Sequence, residues 1–436
     1  MTNTETLTVV GLGYVGLPSA ALMAQAGYQT HGVDVNAALI ADLQAGQCPL
    51  SEPEVVEVVT KALASGRLTA QTMAAEADIF IICVPTPVGP DNAPDLSMVK
   101  AAMQATAPFV RAGNMVILES TSPINTTRDV IAKSLEDVGL DPLNDVDVCY
   151  CPERVFPGRT VQEILHNDRV VGGLTPRAGL RAKAFYESFC EGSASVTTAA
   201  GAEFSKLMEN TYRDVNIAMA NVFARIAEEA GVDVNEVIGT ANLHPRVNVH
   251  TPGPGVGGHC IPVDPWFLID AFPEAAELLE LSRNINDGQP RHFLERAKQA
   301  GLPANAKIGL LGAAYRGNID DARDSPTAIM ISEIAKDGGS WMTHDPFVTS
   351  MHIHDGYPAN ITDQLSVAID RMDAVFILTD HDAYASLEPE LFSKMRNKLI
   401  VDTRRMLDAE RFAEAGFTVI SVGSPTREKT NLLENV

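Results

Sequence analysis

The feature that most constrains the fold is a glycine-rich turn early in the chain. An apolar run over residues 7–10 predicts a β-strand, and Gly11, Gly13 and Gly16 follow it in the spacing G-x-G-x-x-G, before a stretch that predicts a helix. Glycines at this spacing let the backbone approach a pyrophosphate, which then lies at the N-terminus of the helix. The pattern predicts a doubly wound α/β domain that binds a dinucleotide; a turn that binds nothing is the alternative.

One acidic residue extends this prediction to the identity of the dinucleotide. Asp34 ends the next strand-like run, residues 28–33, and stands 21 residues after Gly13. A carboxylate at this position accepts hydrogen bonds from a ribose 2′-hydroxyl and repels a 2′-phosphate. The sequence therefore predicts NAD, rather than NADP, as the cofactor.

Composition and charge limit the partners and the compartment. A chain of 436 residues, of which 45% are hydrophobic, predicts two or three domains. The formal net charge of −23 argues against nucleic acid and anionic membranes as partners. The sequence shows no apolar run of transmembrane length and no signal-peptide pattern, so we expect a cytoplasmic protein. The six cysteines include no CxxC pair, so we expect no metal site, and we expect Cys149 and Cys151 in the core.

Polar residues end three strand-like runs in the first third of the chain. Thr86, Thr121 and Glu153 each follow an apolar segment that predicts a buried strand. Because the carboxyl ends of parallel strands line the ligand crevice of a doubly wound sheet, these residues are candidates for a cofactor and substrate site. Hydroxyl groups at turns are also common structural caps, which is the alternative for the two threonines.

A long segment without glycine or proline, residues 202–230, predicts one helix. Lys206, Asn210 and Arg213 stand at i, i+4 and i+7 and share a face, which fits a polar stripe in an active site. An ordinary amphipathic helix gives the same spacing. Asp214 is expected elsewhere on the helix, as a solvent-facing or pairing group. The length suits a connector between domains and a dimer surface.

A second glycine-rich loop carries a single cysteine. Residues 253–265 read GPGVGGHCIPVDP, which places Cys260 after two glycines and His259. The glycines let backbone N–H groups and a substrate approach the sulfur, and nearby positive charge lowers the pKa of a thiol. Cys260 is therefore a candidate nucleophile; a buried, inert cysteine in a tight turn is the alternative.

The strand pattern begins again at about residue 300. Residues 307–316 repeat a strand and a glycine turn without the full fingerprint, and further strand-like runs follow. This predicts a smaller Rossmann-like domain with its own crevice. Four arginines near the strand ends suit phosphate binding, or else form ordinary surface ion pairs. They are Arg316, Arg323, Arg404 and Arg405.

Seven motifs, in this order, carry a resemblance to a known family. They are GLGYVGLP at 11–18, VPTP at 84–87, ESTSP at 119–123, CPERVFPG at 151–158, KLMENTYRD at 206–214, GPGVGGHCIPVDP at 253–265 and AYRGNIDDARDSP at 314–326. The whole chain resembles the nucleotide-sugar 6-dehydrogenases of the UDP-glucose and GDP-mannose dehydrogenase family. The resemblance implies an N-terminal Rossmann domain that binds NAD (1–200), a central helical region with the dimer surface and the catalytic loop (201–300), and a C-terminal domain that binds the UDP part of the substrate (301–436).

Within the family, three segments narrow the substrate. CPERVFPG, NDRVVGG at 167–173 and HPRVN at 244–248 resemble most the members that act on UDP-N-acetyl-D-mannosamine. UDP-glucose dehydrogenases carry a lysine after the proline that follows the nucleophile, and Val263 occupies that place here, which disfavours UDP-glucose. UDP-N-acetylglucosamine is the nearest alternative.

The resemblance also implies a mechanism and a set of residues. The C6 alcohol is oxidised twice with two NAD, through a thiohemiacetal and a thioester on the cysteine. Catalytic roles fall on Cys260, Lys206, Asn210, Glu153 and Asp264. Contacts to NAD fall on Gly11, Gly13, Tyr14, Val15, Gly16, Asp34, Thr86, Thr121 and Arg323. Contacts to the nucleotide sugar fall on Arg154, Val155, Lys206, Asn210, Arg213, His244, Arg246, Gly257, Tyr315, Arg316 and Arg404, with Arg405 as the alternative to Arg404. Members bury the central helix in a homodimer, in which Arg246 is expected to reach the neighbouring subunit.

Two rival functions remain at this stage. A two-electron β-hydroxyacid dehydrogenase shares the Rossmann domain and long helix, but it needs no cysteine loop and yields one NADH per substrate. A catalytically inactive nucleotide-sugar binder is the other, and the presence of Cys260, Lys206 and Asn210 argues against it.

Overall fold

The computed structural model describes residues 5–89, 91–156 and 158–425. The chain divides into two compact units. Unit 1 runs to Glu209 and takes in Trp266–Ala271, and unit 2 takes in Asn210–Pro265 and the chain from Phe272 onwards. Each unit contains one sheet with helices, so the predicted pair of α/β domains is confirmed. The three-part division at residues 200 and 300 stays a prediction.

Unit 1 is built on an eight-stranded sheet in the order β3-β2-β1-β4-β5-β6-β7-β8. Neighbouring strands are parallel except for β6 and β7, which are antiparallel. The strands are β1 Thr6–Val10, β2 Gln29–Val33, β3 Leu68–Gln71, β4 Ile79–Ile82, β5 Met115–Leu118, β6 Asp147–Tyr150, β7 Arg169–Gly173 and β8 Ala194–Thr198. The strand order reverses between β1 and β4, which is where doubly wound sheets bind their ligands.

Two hydrophobic cores cover the faces of this sheet. Along β4, Ile79 and Ile81 belong to one core, and Phe80 and Ile82 belong to the other. Side chains alternate along a strand, so a strand that is apolar throughout must be covered on both faces. The covering helices are α1 Gly16–Gln25, α2 Ala37–Gln44, α3 Pro53–Ala64, α4 Ser97–Thr106, α5 Lys133–Glu136, α6 Thr160–His166 and α7 Pro176–Glu187, with a 3-10 turn at Ala107–Phe109 and a π-helical stretch at Thr127–Ala132.

The long helix α8, Ala199–Ala230, has 32 residues and begins three residues before the prediction. At 1.5 Å per residue it is about 48 Å long. It is followed by α9 Val234–Ala241, α10 Asp264–Ala271, α11 Glu277–Asp287 and α12 Gln289–Gln299. Among the described residues, none of the helices combines the length and the apolar character needed to cross a membrane.

Unit 2 is built on a six-stranded parallel sheet in the order β11-β10-β9-β12-β13-β14. The strands are β9 Lys307–Leu311, β10 Ser340–His344, β11 Ile361–Thr362, β12 Ala374–Ile377, β13 Leu399–Asp402 and β14 Thr418–Ser421. The helices packed with them are α13 Pro326–Lys336, α14 Leu365–Ile369 and α15 Ala409–Glu414, with 3-10 turns at Asp382–Tyr384 and Pro389–Phe392. The strand order again reverses beside the first strand, between β9 and β12.

The second sheet differs from the first at the acidic residue that follows its second strand. Asp345 is buried, and its carboxylate accepts hydrogen bonds from the backbone N–H groups of Ala313 and Ala314, from two N–H groups of its own turn, and from His381 Nε2 at 3.0 Å. Burial raises the pKa of Asp345, but these donors, His381 first, outweigh burial and hold the pKa at about 2. The carboxylate of Asp345 is therefore bonded within the fold and is not free to bind a ribose.

Candidate active site

The glycine turn after β1 has the geometry of a pyrophosphate site. Gly11 has a φ of +96°, and a Cβ there would lie 2.6 Å from the carbonyl oxygen of Cys83. At Gly16 a Cβ would lie 1.9 Å from the carbonyl oxygen of Gly11, whereas nothing lies within 4 Å of a Cβ at Gly13. Two glycines thus permit close packing, the third leaves an open approach, and no side chain caps the N-terminus of α1. These residues fit a dinucleotide.

Asp34 is attached directly to the glycine turn. Its Oδ2 accepts a hydrogen bond from the N–H of Leu12 at 2.9 Å, and its Oδ1 accepts one from the N–H of Asn36 at 2.9 Å. The residue is half-buried at the end of β2. Its remaining lone pairs can accept from ribose hydroxyl groups, and the contact of Asp34 with the ribose of NAD stays a prediction.

The segments that follow β4 and β5, which were predicted to line the crevice, are joined by hydrogen bonds. Thr86 Oγ1 donates to the carbonyl oxygen of Thr121 at 2.5 Å, and Ser120 Oγ donates to that of Val84 at 2.7 Å. The hydroxyl group of Thr86 thus donates within the fold and keeps its lone pairs, and its predicted contact with NAD stays a prediction. Tyr14 and Val15 lie in the glycine turn, where Tyr14 is exposed.

A lysine and a carboxylate meet at the end of β6 in unit 1. The Nζ of Lys206, on α8, donates to the carbonyl oxygen of Glu153 at 2.7 Å and to its Oε1 at 3.0 Å, and Lys206 is buried. The other carboxylate oxygen of Glu153 accepts the N–H of Val155 at 2.7 Å. Beside them, Arg154 forms an ion pair with Glu209 and donates to the carbonyl oxygen of residue 168. A buried lysine beside a carboxylate, as in Lys206 and Glu153, is chemically able to donate and accept protons.

One helical turn further along α8, unit 2 brings together an amide, a carboxylate and the cysteine. Asn210 Nδ2 donates to Asp264 Oδ2 at 2.6 Å. The N–H groups of Val263 and Asp264 both donate to the carbonyl oxygen of Cys260, at 3.0 and 2.8 Å. Cys260 therefore lies in the turn that begins α10, and it is half-buried rather than sealed in a core. A half-buried thiol in such a turn is accessible to a small substrate group.

The glycines before Cys260 allow the loop to pack against Tyr315. A Cβ on Gly257 would lie 2.6 Å from the Cβ of Tyr315, and the N–H of Gly258 donates to the carbonyl oxygen of Arg323 at 2.9 Å. Burial, with Asp321 and Cys260 nearby, raises the pKa of Tyr315 to about 12. Arg323 donates to both carboxylate oxygens of Asp321, so it lies beside the cysteine loop in unit 2, and its predicted contact with NAD stays a prediction.

The two consecutive arginines after β13 have different surroundings. The side chain of Arg405 donates to the carbonyl oxygen of Val422 and to Asp233 Oδ2 at 2.7 Å, so it holds the fold of unit 2. The guanidinium group of Arg404 donates through Nε to the carbonyl oxygen of Leu378 at 3.1 Å, and its Nη1 lies against the cysteine loop, 3.2 Å from where a Cβ on Gly253 would be.

Three predicted substrate residues lie on the surface, and a fourth is half-buried. Arg213 is exposed on α8, and His244 and Arg246 lie in an exposed segment after α9. Arg316 is half-buried beside Tyr315.

Cys149 and Cys151 are fully buried, so the prediction that they are core residues is confirmed.

Unit 2 contains a set of buried polar residues that the sequence patterns did not predict. Asp214, expected away from the face of Lys206, is fully buried and accepts a hydrogen bond from Arg283 Nη1 at 2.6 Å. Asn221, Asn286 and Gln289 are also buried, and they join α8, α11 and α12 to the cysteine loop. The available signal was spacing, because Asp214 and Asn221 stand 8 and 15 residues after Lys206 and return to its face of the helix.

A glycine turn followed by an acidic residue at the end of the second strand, together with a buried lysine and an asparagine one turn apart on a long helix, is typical of a nicotinamide-dependent dehydrogenase. Models of one family match three consecutive segments of the chain: an NAD-binding domain at 5–190, a central domain at 200–288 and a UDP-binding domain at 309–409. The chain belongs to the UDP-glucose/GDP-mannose dehydrogenase family. It is an NAD-dependent nucleotide-sugar dehydrogenase, as the sequence predicted.

Individual relatives resemble the chain along nearly its whole length. It is 39% identical over 431 residues to UDP-N-acetyl-D-mannosamine dehydrogenase of Methanococcus maripaludis, covering 96% of this chain and 97% of the relative. It is 39% identical over 422 residues to NDP-N-acetyl-D-galactosaminuronic acid dehydrogenase of Ralstonia solanacearum, covering 94% and 98%. The structure of UDP-D-ManNAc dehydrogenase of Pyrococcus horikoshii matches with a TM-score of 0.88 at 38% identity, covering 96% of this chain and 99% of that one.

Proposed function

We propose that the enzyme oxidises the C6 alcohol of UDP-N-acetyl-D-mannosamine to the carboxylate of UDP-N-acetyl-D-mannosaminuronate, with two NAD per substrate. The names of similar proteins support this substrate. Val263 supports it too, because this buried apolar residue stands where UDP-glucose dehydrogenases carry a lysine. The similarity to an enzyme of N-acetylgalactosaminuronic acid metabolism favours another 2-acetamido sugar as the second candidate.

The first oxidation requires removal of a proton and a hydride from C6. NAD supplies the hydride acceptor for both oxidations. The Nζ of Lys206 is held by Glu153 and, in its neutral form, accepts the hydroxyl proton. The ammonium form then stabilises charge on the substrate oxygen, and the amide of Asn210, oriented by Asp264, donates a hydrogen bond to the same oxygen. The products are the aldehyde, one NADH and one proton.

The second oxidation needs a nucleophile, because an aldehyde has no hydroxyl-bearing carbon from which a hydride can leave. The sulfur of Cys260 adds to the aldehyde carbon and gives a thiohemiacetal. Loss of its hydride and hydroxyl proton gives a thioester and the second NADH. Water, activated by Glu153 or Asp264, hydrolyses the thioester to the acid and restores the thiol. In total one alcohol, two NAD⁺ and one water give one carboxylate, two NADH and three protons.

The observation that carries this proposal is the connection of Asn210, Asp264 and Cys260. These bonds place a half-buried cysteine in the turn that carries the carboxylate orienting Asn210, and a two-electron dehydrogenase needs no cysteine at that place. The position of Arg404 beside the same loop supports it as the contact to the substrate phosphates, in preference to Arg405.

The surface of α8 supports a homodimer. Six large apolar side chains of this helix are exposed, and at 100° per residue they lie within about 100° of one another, opposite Lys206. They are Phe204, Met208, Tyr212, Met219, Phe223 and Ile226. A helix that buries its polar face and exposes its apolar face needs a covering partner, and a second copy of the chain fits because the patch is continuous along one axis. Arg246, exposed after α9, is the candidate to reach the neighbouring site.

Light scattering tests the assembly. The parental protein should be a dimer and Tyr212→Glu a monomer, and a monomeric parental protein would contradict the proposal.

The six cysteines are free thiols, which supports the expected reducing, cytoplasmic setting.

A panel of nucleotide sugars tests the reaction. UDP-N-acetylmannosamine should give two NADH per sugar and the highest kcat/KM among UDP-N-acetylmannosamine, UDP-N-acetylglucosamine, UDP-N-acetylgalactosamine and UDP-glucose. A yield of one NADH would refute the four-electron reaction. A higher kcat/KM on another sugar would refute the substrate and leave the family assignment standing.

A further inference from the structure

The buried polar residues of unit 2 form a directed chain of hydrogen bonds that ends on the cysteine loop. Asp214 accepts the amide N–H of Asn286 at its carbonyl oxygen and at Oδ1, at 3.0 and 2.8 Å. Asn286 Oδ1 in turn accepts from Asn221 Nδ2 at 3.0 Å. Asn221 Oδ1 accepts the N–H of Gly253, the first residue of the loop, at 2.9 Å.

The direction of this chain is set by the carboxylate at its start. The backbone carbonyl oxygen of Asp214 can only accept, and the ion pair with Arg283 favours the carboxylate form, so Asn286 must turn its NH₂ group towards Asp214. The Oδ1 of Asn286 is then left to accept from the amide of Asn221, and the Oδ1 of Asn221 is left to accept from the N–H of Gly253. Asn221 and Asn286 are 0% exposed, so no bulk water competes with these bonds.

The carbonyl group of Gly253 accepts a hydrogen bond from a second side chain. Gln289 Nε2 donates to the carbonyl oxygen of Gly253 at 3.2 Å, and Arg225 Nε donates to Gln289 Oε1 at 3.0 Å. Two buried side-chain amides, on α8 and α12, thus bind both polar groups of one loop residue. Further along, the carbonyl oxygen of Asn286 lies 2.8 Å from where a Cβ of Gly255 would be.

We propose that Asn221 and Gln289 are positioning residues for the Cys260 sulfur, an inference that rests on the nucleophilic role proposed above. They fix the loop seven residues before the cysteine, and the N–H of Gly258 fixes it again at Arg323. Pro254 restricts the backbone between these two points, and Gly255 and Gly257 pack closely against neighbouring atoms, so we expect a displacement at Gly253 to shift Gly258 and, two residues later, Cys260. Addition of sulfur to an aldehyde is sensitive to placement, and a shift of about 1 Å can cost about 100-fold in rate.

The test compares two reactions of one substrate, the 6-aldehyde of UDP-N-acetylmannosamine. Oxidation of the aldehyde with NAD requires Cys260, whereas its reduction with NADH reverses the first step and does not. In Asn221→Ala and in the nearly isosteric Gln289→Met, oxidation should slow by about 10- to 100-fold. Reduction, and the KM for the aldehyde, should change by less than about 3-fold. A purely structural role would slow both directions together.

Asn216→Ala is the matched control, because this buried asparagine of α8 donates to the carbonyl oxygen of Tyr212 in its own helix and, among the described residues, to no part of the cysteine loop. Its ratio of oxidation to reduction should equal the parental ratio. If Asn221→Ala does not fold, Gln289→Met alone tests the positioning role. If only one of two folded variants has a lower ratio of oxidation to reduction, the positioning role belongs to that residue alone. Parental ratios in all folded variants would overturn the inference.

Cys260→Ala separates this outcome from a failure of the proposed function. If it oxidises the aldehyde at the parental rate, the nucleophile assignment fails and the positioning inference fails with it. If it loses only the oxidation while the positioning variants keep parental ratios, the inference alone is wrong.

Discussion

Replacing Asp34 with asparagine should weaken the preference for NAD without disturbing the fold. The carboxylate holds Leu12 and Asn36 through one oxygen each, and the amide keeps one of these two acceptors. Because Asp34 is only half-buried, water can replace the lost bond, and the cost in stability should be about 1 kcal/mol.

The effect on the cofactors is larger because it involves charge. A hydrogen bond from a ribose hydroxyl to a carboxylate contributes about 1.5–3 kcal/mol, so kcat/KM for NAD should fall by about 10- to 100-fold. A 2′-phosphate about 4 Å from the carboxylate meets a repulsion of about 4 kcal/mol per unit charge at an effective dielectric constant of 20. Removal of this repulsion should raise kcat/KM for NADP. The ratio of kcat/KM for NAD to kcat/KM for NADP should therefore fall by at least about 100-fold.

Steady-state kinetics with both cofactors measure this ratio. Asp42→Asn is the matched control, because it removes the same charge from an exposed position on α2 and should leave the ratio unchanged. A ratio in Asp34→Asn within 3-fold of the parental value would refute the assignment of Asp34 to the ribose.

Three further predictions follow from the site and from unit 2. Lys206→Met should lower kcat by about 100- to 10,000-fold with an unchanged circular dichroism spectrum, and a kcat within 10-fold of the parental value would remove Lys206 from proton transfer. Arg404→Ala should raise the KM for the nucleotide sugar by about 10- to 100-fold, whereas Arg405→Ala should lower the Tm and leave KM unchanged; the reverse pattern would exchange their roles. The pKa of Asp345 falls from 3.8 to about 2 on folding, so its stabilisation is complete above about pH 4 and is lost as the pH falls towards 2. In urea unfolding, the stability difference between the parental protein and Asp345→Asn should therefore shrink by about 2 kcal/mol over that range, and a difference independent of pH would contradict the linkage.

Local patterns predicted the framework of the molecule. The spacing of Gly11, Gly13 and Gly16 after an apolar run fixes a strand, a turn and a helix, because each step depends on neighbouring residues alone. The absence of helix breakers predicted α8 to within three residues of its start. The repeat of strands after residue 300 predicted the second sheet.

The missed features depend on contacts between residues far apart in sequence. Asn221 and Gln289 reach Gly253 across 32 and 36 residues, and no local pattern reports which polar side chain finds a loop. Arg404 and Arg405 are adjacent, and the positive φ of Arg405, 54°, turns the two side chains to different surroundings. A turn of that kind is a property of the folded backbone.

The central claim is that Cys260 carries the substrate between two oxidations, and the yield of acid from Cys260→Ala tests it most directly. The variant keeps the glycine turn, Asp34 and the arginines, so it should bind NAD and the nucleotide sugar with nearly parental affinity. Its rate of uronate formation from UDP-N-acetylmannosamine should fall by several orders of magnitude, as expected when a nucleophile is removed. If Cys260→Ala still forms uronate with two NADH per sugar at close to the parental rate, the cysteine is structural and the mechanism proposed here is wrong.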